Sequence, residues 1–353
     1  MSTILIDENQ DIWVCGNNKD GQLGLGHKNN VNIPTKIPDF KAISASCGGY
    51  YTIFITENYD VYVCGYNCVI QLGLCYDKDV NIPTKIPDFK AISVFCSNNH
   101  TIFITENNDV YVCGYNFYGQ LGLGHNNNYA NLFTKIPDFK AISVSCGNNH
   151  TVFITENNDV YVCGGNGFGQ LGLGRNNNVN TPTKIPDFKA ISVSCGNGYT
   201  VFVTENNDVY VCGGNGFGQL GLGHNNNVNI PTKITDFKAL SVSCGIYYIM
   251  FITEDYDVYV CGYNYINQSV LGCESINTPT KIPNFKAISI SCCNYDTVSI
   301  NEEYDVYVCG ENFYGRLGLG HNNRVNIPTK IPNFDFKPLL KRRFNNTKSA
   351  RNI

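Results

Sequence analysis

Residues 141–189 read AISVSCGNNHTVFITENNDVYVCGGNGFGQLGLGRNNNVNTPTKIPDFK, and residues 190–238 repeat that string almost letter for letter. In the first copy Ile142, Val144 and Cys146 fall on one side of an extended chain and Ser143 and Ser145 on the other, a period of two. Thr151 to Thr155 and Val160 to Cys163 are apolar or β-branched on both sides, as in strands packed between two layers. Glu156-Asn157-Asn158-Asp159 between them is a tight hairpin turn of residues that tolerate left-handed backbone angles. The string GQLGLG then turns the chain, an asparagine-rich loop follows, and Pro182-Thr183-Lys184-Ile185 predicts a short outer strand, where proline is tolerated at an edge. No segment has an amphipathic helical period. The unit is a four-stranded sheet of 49 residues.

The same unit runs through the chain. A cysteine followed by glycine recurs at Cys15, Cys64, Cys113, Cys163, Cys212, Cys261 and Cys309, in steps of 49, 49, 50, 49, 49 and 48 residues. A second series falls at Cys47, Cys96, Cys146, Cys195, Cys244 and Cys292; Cys68, Cys75, Cys273 and Cys293 are the remainder. Length alone suggests about two domains, but self-similarity at this period means one array of supersecondary units. Radial repetition of four-stranded sheets makes an all-β propeller, here seven-bladed. The expected organisation is one propeller over residues 1–340 and a basic tail over 341–353. The hairpin occurs seven times but the AISVSC strand only six, so the candidate for the missing strand is Phe336-Lys337-Pro338-Leu339-Leu340, with FKPLL standing where FKAIS is expected. Pro338 lacks a donor, which predicts a weak closure.

The string VYVCG-x-N-x-x-GQLGLG, as in Val110 to Gly124, resembles the repeat of the regulator of chromosome condensation family, as do the following P-T-K-I and the G-N-N-H-T of Gly147 to Thr151. The resemblance spans residues 3–334 and implies a seven-bladed propeller, in agreement with the strand count. Kelch repeats have a similar length, and the Gly164-Gly165 pair hints at them, but their later aromatic signature is missing. There are departures from the family pattern. Cys15, Cys64 and their equivalents stand where the family usually has tryptophan. The hairpin position usually held by glycine is Asn108, Asn158 and Asn207 in some units and Tyr59, Tyr256 and Tyr304 in others. Tyrosine at positive φ is strained, so another geometry is expected at those three turns. The family histidine is present as His100 and His150, with Tyr51, Tyr199, Tyr248 and Asp296 elsewhere. The sixth unit is the most eroded, with Asn267 to Gly272 in place of the glycine turn.

Candidate chemistry is sparse. Zinc sites want close ligand pairs converging on one point, whereas these cysteines are spread over separate blades, so they read as small buried fillers. Disulfides are not expected without a secretion signal, and the adjacent Cys292 and Cys293 do not readily bridge. Gly167 to Gly172 and Gly216 to Gly221 fit G-x-G-x-x-G, but no helix follows to receive a pyrophosphate, so they read as turns. His27, His125, His224 and His321 follow the glycine turn, where Tyr76 and Arg175 stand in two other units; all are expected in exposed loops. Glu254-Asp255 and Glu302-Glu303 lie at hairpin turns as solvated carboxylates. Lysines such as Lys135 and Lys140 are expected to be balanced by Asp138 and Glu156 as mixed-charge surface. No catalytic set, cofactor site or metal site stands out. The basic tail, with Lys341, Arg342, Arg343, Lys348 and Arg351, is the candidate contact segment, readable as an import signal, a phosphate-contacting arm or a solvated terminus.

The 353 residues are 43% hydrophobic and 15% charged with net charge −4, so nucleic-acid binding is not expected except through the basic tail. No run approaches a membrane span, and Asp7 and Glu8 interrupt any leader-like stretch, which predicts a cytoplasmic or nuclear protein that is not secreted. The function expected is a monomeric, non-catalytic protein-interaction scaffold. The resemblance adds two alternatives: nucleotide exchange on a Ran-like small GTPase, or substrate adaptation for a ubiquitin ligase. Uniform spacing weighs against the large projecting insertion that exchange would use, and no ligase domain accompanies the repeats. Residues 156–180 and 205–229 differ essentially at Arg175 against His224, which marks recent duplication and favours a binding surface over a tuned catalytic site.

Overall fold

The computed structural model describes residues 2–67, 79–263 and 275–334, apart from residue 333. Seven antiparallel sheets follow one another along the chain. Each is built like the fourth blade: an inner strand Ser143–Cys146, a second His150–Ile154, a third Asp159–Gly164 and an outer strand Val179–Lys189. The outer strand is longer than Pro182 to Ile185 because register shifts let it bend and keep pairing as far as Lys189, opposite Asp159. The first blade has three described strands, Ser2–Ile6, Asp11–Gly16 and Val31–Lys41. The only helical element among the described residues is the 3-10 turn Phe313–Gly315.

His150 and Val179 both pair with Gly164, so the loops after Cys146 and Gly164 leave one end of the blade. The hairpins at Glu156 and the Pro-Asp-Phe turns leave the other. The propeller therefore has a loop face and a hairpin face. Second strands are fully buried in blades two to six, for example His150–Ile154 and Tyr199–Val203. Their phenylalanines fill the joints: Phe188 of the fourth blade meets Phe202 and Tyr210 of the fifth at 5.1 and 5.3 Å, edge to face.

Ring closure uses the same joint. Phe334 packs edge-on against Trp13 at 5.6 Å, as Phe40 packs on Tyr62 at 5.1 Å one blade on. The Thr3 hydroxyl and the Cys15 thiol donate to the Arg316 carbonyl, as Thr52 and Cys64 donate to the Gln22 carbonyl. Phe334, two residues before the expected Phe336, thus occupies the aromatic position. The expected closing strand, Phe336 to Leu340, lies outside the described residues, as do Lys341, Arg342 and Arg343 and the eroded turn of the sixth unit.

Two expectations are corrected. Tyr59, Tyr256 and Tyr304 adopt the same left-handed turn as Asn108, with φ of 63°, 61° and 67° against 61°. The backbone imposes it: Tyr59 N–H donates to the Thr56 carbonyl and its own carbonyl receives Ala91 N–H, just as Asn108 does with Thr105 and Ala141. The lysines, in turn, do not pair with Asp138 or Glu156. Lys135 and Lys140 converge on Asp109 at 2.8 and 3.7 Å, because Asp109 sits opposite Lys140 in the sheet and Lys135 two strand positions away. The arrangement recurs at Asp11, Asp60, Asp159, Asp208 and Asp257.

Candidate functional site: the loop face and the channel beneath it

The glycine-rich turn is the clamp between blades. A Cβ on Gly169 would sit 2.5 Å from the Asn229 side chain of the next blade, and Gly169 has φ of 84°, so only glycine fits. The G-x-G-x-x-G strings are therefore structural. The carbonyl of the following Gln170 accepts the Cys212 thiol at 3.3 Å and the Thr200 hydroxyl at 2.8 Å. The first cysteine series is thus buried, and the thiols of Cys15, Cys64, Cys163, Cys212 and Cys261 are also donors across the joint. Burial raises the Cys15 thiol to about 12 and the Cys309 thiol to about 12, which leaves them protonated and unreactive.

The second cysteine series borders a central channel of about 610 Å³. Cys47, Cys96, Cys146, Cys195, Cys244 and Cys292 face it, mostly half-buried rather than fully enclosed. Neighbouring inner strands are tied across blades there: Cys195 N–H donates to Ser145 Oγ, and Cys244 N–H to Ser194 Oγ, at 3.0 and 3.1 Å. Among the described residues no three His, Cys, Asp or Glu side chains converge on a metal-sized site.

The positions of the family histidine form a belt around the channel. Tyr51 OH donates to the His100 carbonyl at 2.9 Å; His100 Nε2 lies 3.1 Å from Thr151 Oγ1, and His150 Nε2 lies 3.0 Å from Thr200 Oγ1. Tyr199 OH donates to the Tyr248 carbonyl, and Tyr248 OH to the Asp296 carbonyl. Each side chain therefore holds the next blade. Burial holds His150 down at about 4, and burial with the neighbouring His150 holds His100 at about 3, so both rings are neutral at physiological pH. The belt ends at Asp296, a buried carboxyl raised to about 6 by burial despite Arg316, whose Nε lies 3.3 Å away.

Above the channel an amide ladder crosses blades: Asn98 donates to Asn148, Asn148 to Asn197, and Asn197 to Tyr247. Around it the loop face carries aromatic rings that sequence reading did not single out. Phe117, Phe168 and Phe313 are 53%, 54% and 62% exposed. Phe117, Phe168 and the 40% exposed Phe217 are held, not dangling. Tyr115 stacks near-parallel to Phe117 at 6.3 Å, and Phe217 packs on Tyr247 and Tyr263 at 4.9 Å. Phe168 lies over Gly198 and Gly214 of the next blade. The signal was present in the alternation of Phe, Tyr and Gly at fixed offsets from Cys-Gly. His27, His125, His224 and His321 lie at the exposed rim, where the His27 carbonyl accepts the Asn18 amide and its Nδ1 accepts Asn29 N–H. Glu254, Asp255, Glu302 and Glu303 are exposed on the hairpin face.

Among solved structures, the chain is similar to human WBSCR16, at 23% identity over 91% of this chain and 93% of that one, with a TM-score of 0.82. It is also similar to yeast RCC1 (Prp20) bound to Kap60, at 22% identity over 92% and 84%, with a TM-score of 0.80. A second Saccharomyces cerevisiae Prp20p structure, whose study concerns binding to Gsp1p and histones, matches at 22% identity over 92% and 86%, with a TM-score of 0.80. At these identities the likeness shows the fold. No curated protein sequence matches the chain. The model of the regulator of chromosome condensation (RCC1) repeat matches residues 10–55, 60–104, 107–154, 157–203, 206–252 and 305–342, and a second model of that repeat matches 91–120, 141–170 and 190–219. With those matches over most of its length and seven blades in a ring, the chain belongs to the regulator of chromosome condensation repeat family.

Proposed function

We propose that this protein is a non-catalytic interaction scaffold whose loop face holds a protein partner. The observation that carries the reading is the set of exposed rings at Phe117, Phe168 and Phe217, fixed by neighbouring rings and glycines on a rigid ring of blades, with the exposed Phe313 on the same face. Aromatic anchors of this kind contribute contact area at small entropic expense, and they dominate protein interfaces. The thiols of Cys47 and Cys195 at the channel, raised to about 12 by burial, and the belt of neutral histidines support binding rather than bond-making chemistry there.

A small GTPase is the second candidate partner, favoured by the similarity to Prp20p, a protein studied for its binding to Gsp1p. Affinity purification with and without EDTA separates the two readings. EDTA removes magnesium and favours nucleotide-free GTPases, the form an exchange factor grips. A partner retained equally in both conditions, and lost with Phe168→Ala and Phe217→Ala together, supports the scaffold. A GTPase enriched only with EDTA, whose labelled GDP the purified chain then releases, replaces it with exchange.

A further inference from the structure

The seventh blade breaks the joint that all the fully buried blades share. Phe54, Phe103, Phe153, Phe202 and Phe251 fill that joint in blades two to six, each meeting the phenylalanine of the preceding blade's Asp-Phe turn at 5.0 to 5.2 Å. The seventh blade has Ser299 instead, paired with Tyr307 as Phe202 is paired with Tyr210. Ser299 itself is buried, while Val298 and Ile300 on the opposite face of its strand Asp296–Ile300 are partly buried and border the central channel. Phe285, left without a phenyl partner there, stands 6.0 Å from Tyr307. A cavity of about 450 Å³ lies at this joint, with Ile282, Phe285 and Tyr307 as its apolar wall and Lys286, Glu302 and Glu303 among its polar lining. Lys286 donates to the Asp255 carbonyl. No lysine or arginine among the described residues lies within ion-pair distance of Glu302 or Glu303, and both are exposed.

The occupant this cavity fits is an aromatic side chain preceded by cations, and the chain carries one. Lys341-Arg342-Arg343-Phe344 lies ten residues beyond Phe334, the last described residue. Phe334 rests on Trp13, whose indole N–H donates to Asp7 of the first hairpin, so the last described residue stands at the joint next to the one that holds this cavity. Ten residues reach about 33 Å when extended, against packed-sheet spacings of about 10 Å. Beyond Phe334 the chain also departs from the repeat. In register, Phe336 would fall where Ala42, Ala91, Ala141, Ala190, Ala239 and Ala287 are enclosed at 1% exposure or less, with no room for a ring.

We propose that the cavity at the joint of the sixth and seventh blades is the docking site of this chain's own Lys341-Arg342-Arg343-Phe344 segment, the Phe344 ring entering beside Phe285 and the cations meeting Glu302 and Glu303. The test replaces Phe344 in the full chain by p-benzoylphenylalanine, irradiates it, and maps the cross-links. The expected product is intramolecular, joined within residues 282–286 or 301–307. Its yield falls at least threefold in Ser299→Phe, which restores the missing ring, and at least threefold in Glu302→Lys with Glu303→Lys. The double lysine variant alters only exposed side chains, so it remains informative if Ser299→Phe misfolds. Cross-links confined to Ser2 to Ile6 would overturn the proposal by placing the segment along the first blade. Products that are only intermolecular, or yields that neither variant lowers, would overturn it as well.

Discussion

The fifth and seventh blades trace the same four strands and differ at three linked side chains. Where the fifth has Gly196, Tyr199 and Phe202, the seventh has Cys293, Asp296 and Ser299. The Tyr199 ring covers Gly196 so closely that a Cβ there would lie 2.1 Å from it. Once the ring is an aspartate, that glycine is no longer required, and a cysteine stands in its place. The lost ring leaves a buried carboxyl that leans on Arg316, in a position where the fifth blade has a neutral Gln219. What survives in both is the clamp: Thr200 and Cys212 donate to the Gln170 carbonyl, and the glycine turn after Cys309 grips the first blade in the same way. Backbone-directed joints therefore hold the ring, and aromatic filling sets how tightly each blade is packed.

Making the fifth blade resemble the seventh sharpens this contrast. Phe202→Ser removes a fully enclosed ring and is expected to destabilise the fold by about 4 kcal/mol, read from the shift of the urea midpoint; a loss under about 1 kcal/mol would mean that the phenyl pair is dispensable. Gly196→Val drives a side chain into Tyr199 and is expected to cost about 3 kcal/mol. Cys293→Gly, at the matching site, should leave the midpoint nearly unchanged, and similar losses at both sites would break the coupling of glycine to ring.

Acid discriminates the belt next. His150 takes a proton near 6.5 when unfolded but only at about 4 when folded. The unfolded chain therefore binds more protons between those values, and stability is lost as pH falls through that window, by about 2 kcal/mol at pH 5. Asp296 acts with the opposite sign, since its folded value of about 6 lies above the ordinary 3.8; it opposes the loss without cancelling both histidines. His150→Tyr places in the fourth blade the ring that the fifth already carries over a glycine. Urea titrations from pH 7 to 5 should then show a flatter profile, and an unchanged slope would remove His150 from the account. The smallest effect is a gain. Tyr256 holds φ of 61° where Asn158 sits in the fourth blade, and Tyr256→Asn should stabilise by about 1 kcal/mol; a loss would show that its ring packing outweighs the strain.

The period, the hairpins and the seven blades were legible because the hairpin string recurs seven times and the period-two inner strand six times along the chain. The side-chain partners were less so. Lys135 finds Asp109 rather than Asp138 because pairing is set by register across a strand boundary, not by nearness in sequence. Tyr59 follows Asn108 into the left-handed turn because the surrounding backbone hydrogen bonds outweigh a residue's own preference. The loop-face rings went unread since an isolated Phe or Tyr in a loop carries no period; only the blades in register bring them to one surface. Ser299 was visible in the alignment of units, but its meaning depends on a neighbour 14 positions upstream, Phe285, across a joint.

The clamp has a genetic consequence. Because each described glycine turn closes on the Cys-Gly strand of the next unit in the same way, and residues 156–180 nearly duplicate residues 205–229, recombination between out-of-step copies would insert or delete a whole 49-residue blade while keeping the same kind of joint. No local packing defect would report such an event. The census of blades is enforced only when the last clamp meets the first strand, at Arg316 and Thr3, where a ring with too many or too few members fails to meet itself.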